Sequence, residues 1–379
     1  MRQRLILFIL ILLFSFSANA FETKAKQAYM IDADTGYVML DKNAHDPMPP
    51  ASMSKLMTTY VLFDAIKKGR VSLDDEFTVS DRAWKIGGAA SGSSTMFLKP
   101  NQKVKVADLI RGIIIQSGND ACIVVAENMA GSEEAFAIIL TQKGKELGLE
   151  NSTFKNATGL PDPEHMMTPK DLTVLAKALI NDFPEFYPIY SEKEFTYNTI
   201  KQGNRNPLLY TIKGAKADGL KTGHTKESGY GLTGSVITPE GRRLIMVVNG
   251  LKTQNDRYNE TQKMVNWGLA AFENTTLFSA GKTIESIPVW LGIEKNVPAV
   301  IDRDLIVTIP RGTKSGIRAT INYDTPVSAP VKRGQKIGTL TVKIPDQPDR
   351  IMDLVAGKDI EKVGYFGKLK ALFNNMIGR

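Results

Sequence analysis

The sequence predicts an α+β domain with an antiparallel sheet and helices, followed by a small all-β domain and a C-terminal amphipathic helix. Three observations predict this order. Strand-like runs lie near both ends of the first 278 residues with helical periodicity between them, short alternating runs follow, and the final residues place apolar side chains on one helical face. The predicted divisions are 1–20, 21–278, 279–352 and 353–379.

The first twenty residues have the pattern of a secretory signal peptide. Two arginines precede an apolar run at 5–16, and Ala18 and Ala20 form a small-x-small cleavage site. The run is shorter than the roughly 20 residues that cross a bilayer, which favours a cleaved leader over an uncleaved anchor. We therefore expect export to the periplasmic side of a bacterial inner membrane.

Composition argues against several classes of function. The formal net charge is +8, and it falls to +6 when the leader removes two arginines and no acids. Because acids are interleaved with the bases, an anionic membrane or wall is a better partner than nucleic acid. One cysteine, Cys122, permits no intramolecular disulfide. Three histidines without a metal-binding motif predict neither a metal nor another cofactor.

Hydrophobic periodicity places the elements of the first domain. Residues 28–40 alternate around an Asp-x-Gly turn and predict two strands, and Pro50 precedes a helix that ends near Gly69. Thr168 is a predicted N-cap, because proline follows it at the first helical position. The other predicted elements are helices at 104–115, 121–130, 132–148 and 256–272, and strands at 232–237 and 243–248.

The region beyond residue 278 changes character twice. Alternating runs at 305–309, 317–323 and 338–342 predict a small β domain without an active-site-like ionisable cluster. The terminal segment predicts a helix that lies in the interface of the outer face of the inner membrane, while a helix docked on its own domain is the alternative. Its apolar face consists of Tyr365, Phe366, Leu369, Leu372, Phe373, Met376 and Ile377.

The first candidate catalytic pair is Ser52 and Lys55. A spacing of three residues at the start of a helix puts both side chains on one face. A serine hydroxyl needs a base to become nucleophilic, and lysine is a base only when it is neutral. Burial and a second ammonium, Lys221, would lower its pKa. Taken alone, the pair is more often an N-cap serine beside a surface lysine.

A second string, Ser117-Gly118-Asn119, lies in a predicted turn between two apolar helices. Glycine lets the loop bend sharply and brings a hydroxyl and an amide to one rim. Ser117 is a candidate proton relay, and Asn119 is a candidate ligand for a substrate amide. Without its companions the string is only a turn.

The third string is Lys221-Thr222-Gly223, which we place on an edge strand before the strand pair. Gly223 allows an extended substrate to approach the backbone. Lys221 and Thr222 can bind a carboxylate, and Arg205 and Arg257 are further candidates because guanidinium pairs with that anion bidentately. The alternatives are a strand-end turn and surface arginines.

With these residues in order, the chain resembles the low-molecular-mass penicillin-binding proteins of the serine D-alanyl-D-alanine carboxypeptidase type. The order of the three strings is typical of penicillin-binding proteins and class A β-lactamases. The resemblance covers essentially the whole chain and implies a serine β-lactamase or penicillin-binding transpeptidase-like catalytic domain at 21–278. The matching strings lie at 50–58, 117–122, 156–160, 218–225 and 256–260.

The resemblance implies attack by Ser52 on the terminal D-alanyl-D-alanine bond of a peptidoglycan stem peptide, with Lys55 as the base. The oxyanion would lie between the backbone N–H groups of Ser52 and His224. Water would hydrolyse the acyl-enzyme, and a β-lactam antibiotic would acylate the same serine.

The resemblance also implies how the leaving group is handled. Ser117 and Lys221 would return a proton to the departing D-alanine, and Thr222, Arg257 and Arg205 would receive its carboxylate. It leaves the preference between crosslinked and free peptides, and the oligomeric state, open.

Two other functions remain as alternatives: a β-lactamase-like hydrolase, and a catalytically idle wall-binding scaffold. Class A β-lactamases deacylate with a glutamate in a Glu-x-x-Leu-Asn string, but Glu164 here lacks the Leu-Asn and is expected to be a solvated loop acid. The scaffold is disfavoured because all the catalytic side chains are present. Cys122 is expected to be a small buried side chain.

Overall fold

A five-stranded antiparallel sheet is the centre of the first domain in the computed structural model, which describes residues 21–313, 316–323 and 326–365. In chain order this domain contains β1 (Gln27–Asp32), β2 (Val38–Lys42), α1 (Lys55–Lys67), β3 (Glu76–Thr78), β4 (Lys103–Lys105), α2 (Val106–Ile114), α3 (Asn119–Ala130), α4 (Glu133–Glu146), α5 (Pro169–Asp182), β5 (Glu194–Tyr197), β6 (Ile200–Gly203), α6 (Leu208–Thr211), β7 (Lys216–Thr225), β8 (Gly229–Ile237), β9 (Arg243–Leu251) and α7 (Gln254–Ala271).

The strand order β2-β1-β9-β8-β7 joins the two ends of the domain in one sheet. β1 pairs antiparallel with β9, so the predicted α+β arrangement, with terminal strands around a helical middle, is confirmed. Among the strands that the structure describes, β7 pairs only with β8 and so forms one edge of the sheet. The third sequence string lies on β7, as predicted.

Both faces of the sheet are buried. In β1, Tyr29 and Ile31 belong to the core shared with α1–α5, whereas Ala28 and Met30 belong to the core under α6 and α7. This alternation follows from the two-residue repeat of a strand, and a centre buried on both sides explains why β1 is nearly continuously apolar.

Helix ends follow the capping signals of the sequence. The Thr168 hydroxyl accepts from the Asp171 N–H at 3.0 Å with Pro169 at the first helical position, and Ser132 caps α4 in the same way from Ala135 N at 3.1 Å. A side-chain acceptor at this place satisfies a helix N–H that has no backbone partner.

The second domain contains only strands in its described part. Its elements are β10 (Phe272–Phe278), β11 (Glu285–Trp290), β12 (Asn296–Val300), β13 (Leu305–Pro310), β14 (Arg318–Asn322), β15 (Val327–Ser328), β16 (Lys336–Lys343) and β17 (Arg350–Ala356). A six-stranded sheet has the order β14-β16-β17-β12-β11-β15, and β10 pairs with β13. They enclose a separate apolar core.

Both predicted borders of this domain are displaced. β10 pairs with β13 along its length, so the strands of the second domain begin at Phe272 rather than at residue 279. β17 crosses the predicted border at residue 352, and Ile360 and Lys362 make further bridges to the domain. β17 has the period-2 burial of a strand, whereas β10 does not alternate and is defined as a strand by its pairing with β13. The sequence interpretation assigned both segments to the neighbouring elements.

The two domains meet at the turn that follows β1. Asp32 is fully buried and forms an ion pair with Arg242 at 2.9 Å, while its other carboxylate oxygen accepts from the turn N–H groups of Asp34 and Thr35. The Thr35 hydroxyl contacts that of Thr308 on β13 at 2.6 Å. The predicted Asp-x-Gly turn therefore also joins the domains.

Two predicted segments fall wholly or mainly outside the described residues. These are the leader at 1–20 and the part of the predicted amphipathic helix from residue 366 onward. Among the helices that the structure describes, none is long and apolar enough to span a bilayer.

Candidate active site

The predicted nucleophile lies on a tight turn before α1. A 3-10 turn covers Ala51–Ser54, and α1 begins at Lys55. The prediction that both residues belong to one α-helix is therefore wrong in this detail. The tighter winding still serves the same purpose, because side chains three residues apart eclipse in a 3-10 turn. Ala51, next to the half-buried Ser52, has a left-handed φ of 48°.

The Lys55 amine is buried among three oxygen atoms. Nζ lies 2.9 Å from Ser52 Oγ and 2.6 Å from Asn119 Oδ1, and it also contacts the carbonyl oxygen of Thr158. An amide oxygen and a peptide carbonyl can only accept. A neutral amine that donates its two hydrogens to them keeps its lone pair for the Ser52 hydroxyl. The arrangement can therefore orient a neutral Lys55 amine toward the Ser52 hydroxyl.

The second string brings Ser117 to the third. The Ser117 hydroxyl accepts from Lys221 Nζ at 2.9 Å. Ser117 has a left-handed φ of 61°, whereas Gly118 has an ordinary φ of −58°. The prediction that glycine supplies the bend is therefore wrong. Gly118 is required because a Cβ there would lie 2.8 Å from Asp120 Oδ1.

The third string packs against the nucleophile turn. A Cβ on Gly223 would lie 2.8 Å from the carbonyl oxygen of Pro50, so the absent side chain permits contact between β7 and the turn that bears Ser52. This gives Gly223 a packing role that the sequence interpretation missed. Thr222 is 6% exposed, and His224 is exposed and stacks on Tyr230 with ring centroids 3.8 Å apart.

Burial and like charges make both lysines weaker bases than free lysine. Desolvation lowers the pKa of Lys55 to about 8, with the Arg205 charge contributing in the same direction. Desolvation also lowers the pKa of Lys221 well below its usual value, and the charges of Lys55, Arg205 and Arg257 lower it further. The predicted depression of the Lys55 pKa is therefore confirmed, and the predicted repulsion between Lys55 and Lys221 is among the causes of the lowered pKa of Lys221.

The two arginines occupy different places. Arg205 is exposed and donates to Ser94 Oγ at 2.6 Å and to the Gln116 carbonyl oxygen at 3.3 Å, beside the second string. Arg257 is only 4% exposed, and burial lowers its pKa to about 10. Its guanidinium donates to the Gly223 carbonyl oxygen at 3.5 Å, and its Nε has no hydrogen-bond partner among the described residues.

Sequence reasoning missed the residues that hold the three strings in place. The Asp120 carboxylate is fully buried and accepts from the Thr95 hydroxyl at 2.6 Å and from the Met96 and Leu98 N–H groups. It ties the loop before β4 to the start of α3. An acid directly after Asn119, at the N-terminus of an apolar helix, was the available signal.

A second support holds the Thr158 carbonyl. Glu133 is 6% exposed, accepts from the Ala157 N–H at 3.1 Å and forms an ion pair with Arg82 at 2.9 Å. The Asn156 side chain accepts from the N–H groups of Thr158 and Gly159. No sequence pattern identified the backbone carbonyl as a ligand of Lys55, because a carbonyl has no residue signature.

Cys122 and Glu164 lie where the sequence interpretation expected. Cys122 is fully buried, and burial raises its thiol pKa to about 12. Glu164 is exposed and pairs with Lys155 at 2.9 Å. Across residues 21–313, 316–323 and 326–365 we find no group of three His, Cys, Asp or Glu side chains that could hold a metal ion.

A serine and a lysine in contact, with a second serine–lysine pair beside them at a sheet edge, define a serine acyl-transfer enzyme of the β-lactamase and penicillin-binding fold. Family models give the narrower assignment. The model for D-alanyl-D-alanine carboxypeptidase matches residues 14–253, and that for the C-terminal domain of penicillin-binding protein 5 matches 272–362. The chain belongs to the D-alanyl-D-alanine carboxypeptidase family.

Similar proteins agree with this assignment. D-alanyl-D-alanine carboxypeptidase DacC of Escherichia coli (strain K12) is 40% identical over 368 residues, covering 94% of this chain and 92% of the relative. DacA of the same strain is 37% identical, covering 93% and 89%. The crystal structure of penicillin binding protein 5 from Haemophilus influenzae superposes with a TM-score of 0.78 at 36% identity, covering 90% of this chain and 98% of that one.

The predicted family, the activity and the fold of the two domains are therefore confirmed, while the C-terminal amphipathic helix stays a prediction. The protein is a serine-type D-alanyl-D-alanine carboxypeptidase, an enzyme of the bacterial cell wall whose family acts on peptidoglycan peptides and binds β-lactams.

Contact between the 156–159 loop and the nucleophile turn yields a prediction. Gly159 has a φ of +78°, and a Cβ there would lie 2.0 Å from the Ala51 carbonyl oxygen. We expect Gly159→Ala to lower the free energy of unfolding by about 1–3 kcal/mol more than left-handed strain alone does, and to slow penicillin labelling by displacing Ser52. Chemical denaturation and labelling rates measure both effects.

Gly148 provides the matched control, because its φ is +80° and nothing lies within 4 Å of a Cβ there. Gly148→Ala is expected to lose only the roughly 1–2 kcal/mol of left-handed strain and to be labelled normally. Equal effects at both glycines would show that the contact with Ala51 is unimportant.

Proposed function

We propose that Ser52 is the nucleophile of this carboxypeptidase and that Lys55 is its general base. The observation that carries the proposal is the set of contacts around Lys55 Nζ, in which two pure acceptors leave the lone pair for the Ser52 hydroxyl. Lys55 takes the serine proton as the Oγ–carbonyl bond forms. A pKa of about 8 leaves part of the lysine neutral near neutral pH.

We propose that the second pair protonates the leaving group. When the peptide C–N bond breaks, Ser117 gives its proton to the departing D-alanine nitrogen, and Lys221 replaces it. Their contact at 2.9 Å and the lowered pKa of Lys221 support this path. Water then attacks the acyl carbonyl and its proton restores Lys221, while Lys55 returns its proton to Ser52 Oγ as the shortened peptide leaves. A β-lactam leaves Ser52 acylated for longer.

The remaining predicted residues are assigned to substrate binding. An extended peptide lies along the edge of β7, with Gly223 and His224 beside it and the oxyanion between the N–H groups of Ser52 and His224. Thr222 receives the terminal carboxylate. Arg205 is exposed beside the site and can also reach that anion, while the mostly buried Arg257 acts chiefly through its positive field.

Two measurements test these assignments together. D-Alanine release from a pentapeptide is followed by mass spectrometry, and the residue labelled by a fluorescent penicillin is mapped by peptide digestion. We expect one D-alanine per peptide and label on Ser52 alone. Label on a peptide without Ser52 would overturn the nucleophile assignment, and an absence of both signals would favour the idle scaffold.

Replacement of the base gives a sharper test. Lys55→Arg is expected to reduce the rate of penicillin labelling by about 100-fold or more, since guanidinium stays protonated and a general base contributes about 10²–10⁴ in rate. Lys68→Arg, at the exposed end of α1, is the matched control and is expected to be labelled at the parental rate. Rapid labelling of Lys55→Arg would exclude Lys55 as the base.

The pH dependence of acylation gives a further prediction. Only the neutral form of Lys55 accepts a proton, and its pKa is lowered to about 8. The second-order rate constant for penicillin labelling should therefore rise with pH and level off above about 8, rather than near the value of 10.5 for a free lysine. A rate that stays constant between pH 6 and 10 would contradict this assignment. Circular dichroism at each pH checks that the fold is intact.

We also propose that the protein is exported and binds the periplasmic face of the inner membrane through its terminal segment. The leader pattern at 1–20 and the apolar side chains Phe366, Leu369, Leu372, Phe373 and Met376 support this placement. We expect deletion of 366–379 to abolish sedimentation with anionic vesicles and to leave D-alanine release unchanged. A truncated protein that still sediments with the vesicles would remove the proposal.

A further inference from the structure

The edge strand β7 is bent just before the third string. Its register with β8 shifts between Ala217 and Gly219, so Asp218 is an extra residue in this strand. A bulge of this kind bends a strand and re-aims the side chains that follow it. Lys221 comes three residues after Asp218. The direction of the Lys221 side chain therefore depends on how the bulge is held.

A buried side-chain amide holds the backbone at the bulge. Asn206 is fully buried, and its Nδ2 donates to the Gly219 carbonyl oxygen at 2.8 Å. Its Oδ1 accepts from the Leu208 N–H at 3.1 Å, so both ends of the amide are hydrogen-bonded. A buried polar group that is bonded in this way is rigid. Asn206 thereby fixes the backbone of β7 two residues before Lys221.

The residue before Asn206 holds the segment that bears Ser117. Arg205 Nη2 donates to the Gln116 carbonyl oxygen at 3.3 Å, and Gln116 directly precedes Ser117. Two adjacent residues therefore hold the two backbones that bear Ser117 and Lys221. The distance of 2.9 Å between Ser117 Oγ and Lys221 Nζ depends on the separation of these backbones.

We propose that Asn206 is a positioning residue for protonation of the leaving group. It holds β7 where Lys221 Nζ can replace the proton that Ser117 gives to the departing nitrogen as the C–N bond breaks. Because Asn206 acts through the Gly219 carbonyl, its loss slows this step and leaves the attack of Ser52 intact. This role rests on the proposed function of Ser117 and Lys221.

Two substrates that share one acyl peptide and differ in the leaving group test this role. The first ends in D-alanyl-D-alanine. In the second, a thioester joins the acyl D-alanine to 2-mercaptopropionate. An amine leaves only after it gains a proton, whereas a thiolate is the weaker base and leaves without one. A defect in protonation of the leaving group therefore slows only the cleavage of the peptide.

Asn206→Ala is expected to lower kcat/KM for the peptide by about tenfold or more, and for the thioester by less than about threefold, since displacing a general acid loses part of its roughly 10²–10⁴-fold effect. Asn206→Asp is the second variant if the first does not fold. Its carboxylate keeps the bond from the Leu208 N–H and has no hydrogen for the Gly219 carbonyl, so the same contrast is expected. Circular dichroism checks the fold of each variant.

Two reference variants calibrate the measurement. Ser117→Ala removes the proton donor itself and is expected to slow cleavage of the peptide far more than that of the thioester. Asn128→Ala is the matched control, because Asn128 ties α3 to β3 through hydrogen bonds with the Thr78 carbonyl oxygen at 3.0 Å and the Thr78 N–H at 3.1 Å. It is expected to keep the wild-type ratio of the two rates.

The two possible failures are distinguishable. If Ser117→Ala is selective for the peptide, then equal losses on both substrates in the Asn206 variants, or no loss on either, would overturn the positioning role. If Ser117→Ala lowers both rates equally, the proposed protonation of the leaving group itself fails, and the role of Asn206 fails with it.

Discussion

The contacts of one buried amine hold the catalytic part of this molecule together. Lys55 Nζ meets oxygens from the turn before α1, from the start of α3 and from the 156–159 loop. An amine buried to this extent is unfavourable unless its hydrogens are bonded, so each segment must deliver its acceptor to within about 3 Å. The fold around the site is therefore organised to bring three distant parts of the chain to one nitrogen.

Close backbone packing makes that convergence possible. Gly159 and Gly223 both lie where a Cβ would strike the turn that bears Ser52. Ala51 and Ser117 are held in left-handed conformations that non-glycine residues rarely adopt. Such strain persists only when surrounding contacts over-determine the backbone, and strained residues cluster at active sites. Here the surrounding contacts include the β7 edge and the Lys221–Ser117 hydrogen bond.

Much of the fold was predictable because its signals are local. The Thr168 cap, the strand alternation around residue 30 and the three ordered strings each depend on a few neighbouring residues. The predictions that failed depend on tertiary contacts. The sequence could not reveal that Ser117 rather than Gly118 has the positive φ, or that the Thr158 carbonyl is a ligand of Lys55. The domain borders were displaced for the same reason, because β10 and β17 acquire their identity from partner strands.

The positive charges around the site have two consequences from one cause. Arg205 lowers the pKa of both lysines, and Arg257 lowers that of Lys221, which favours neutral amines that can accept protons. The same cations attract the carboxylate at the end of a peptide or a β-lactam. A bound carboxylate partly cancels their field, so it raises the pKa of both lysines. In the proposed mechanism, this rise makes the neutral form of Lys55 a stronger proton acceptor for Ser52, while the remaining field of the arginines keeps part of Lys55 neutral.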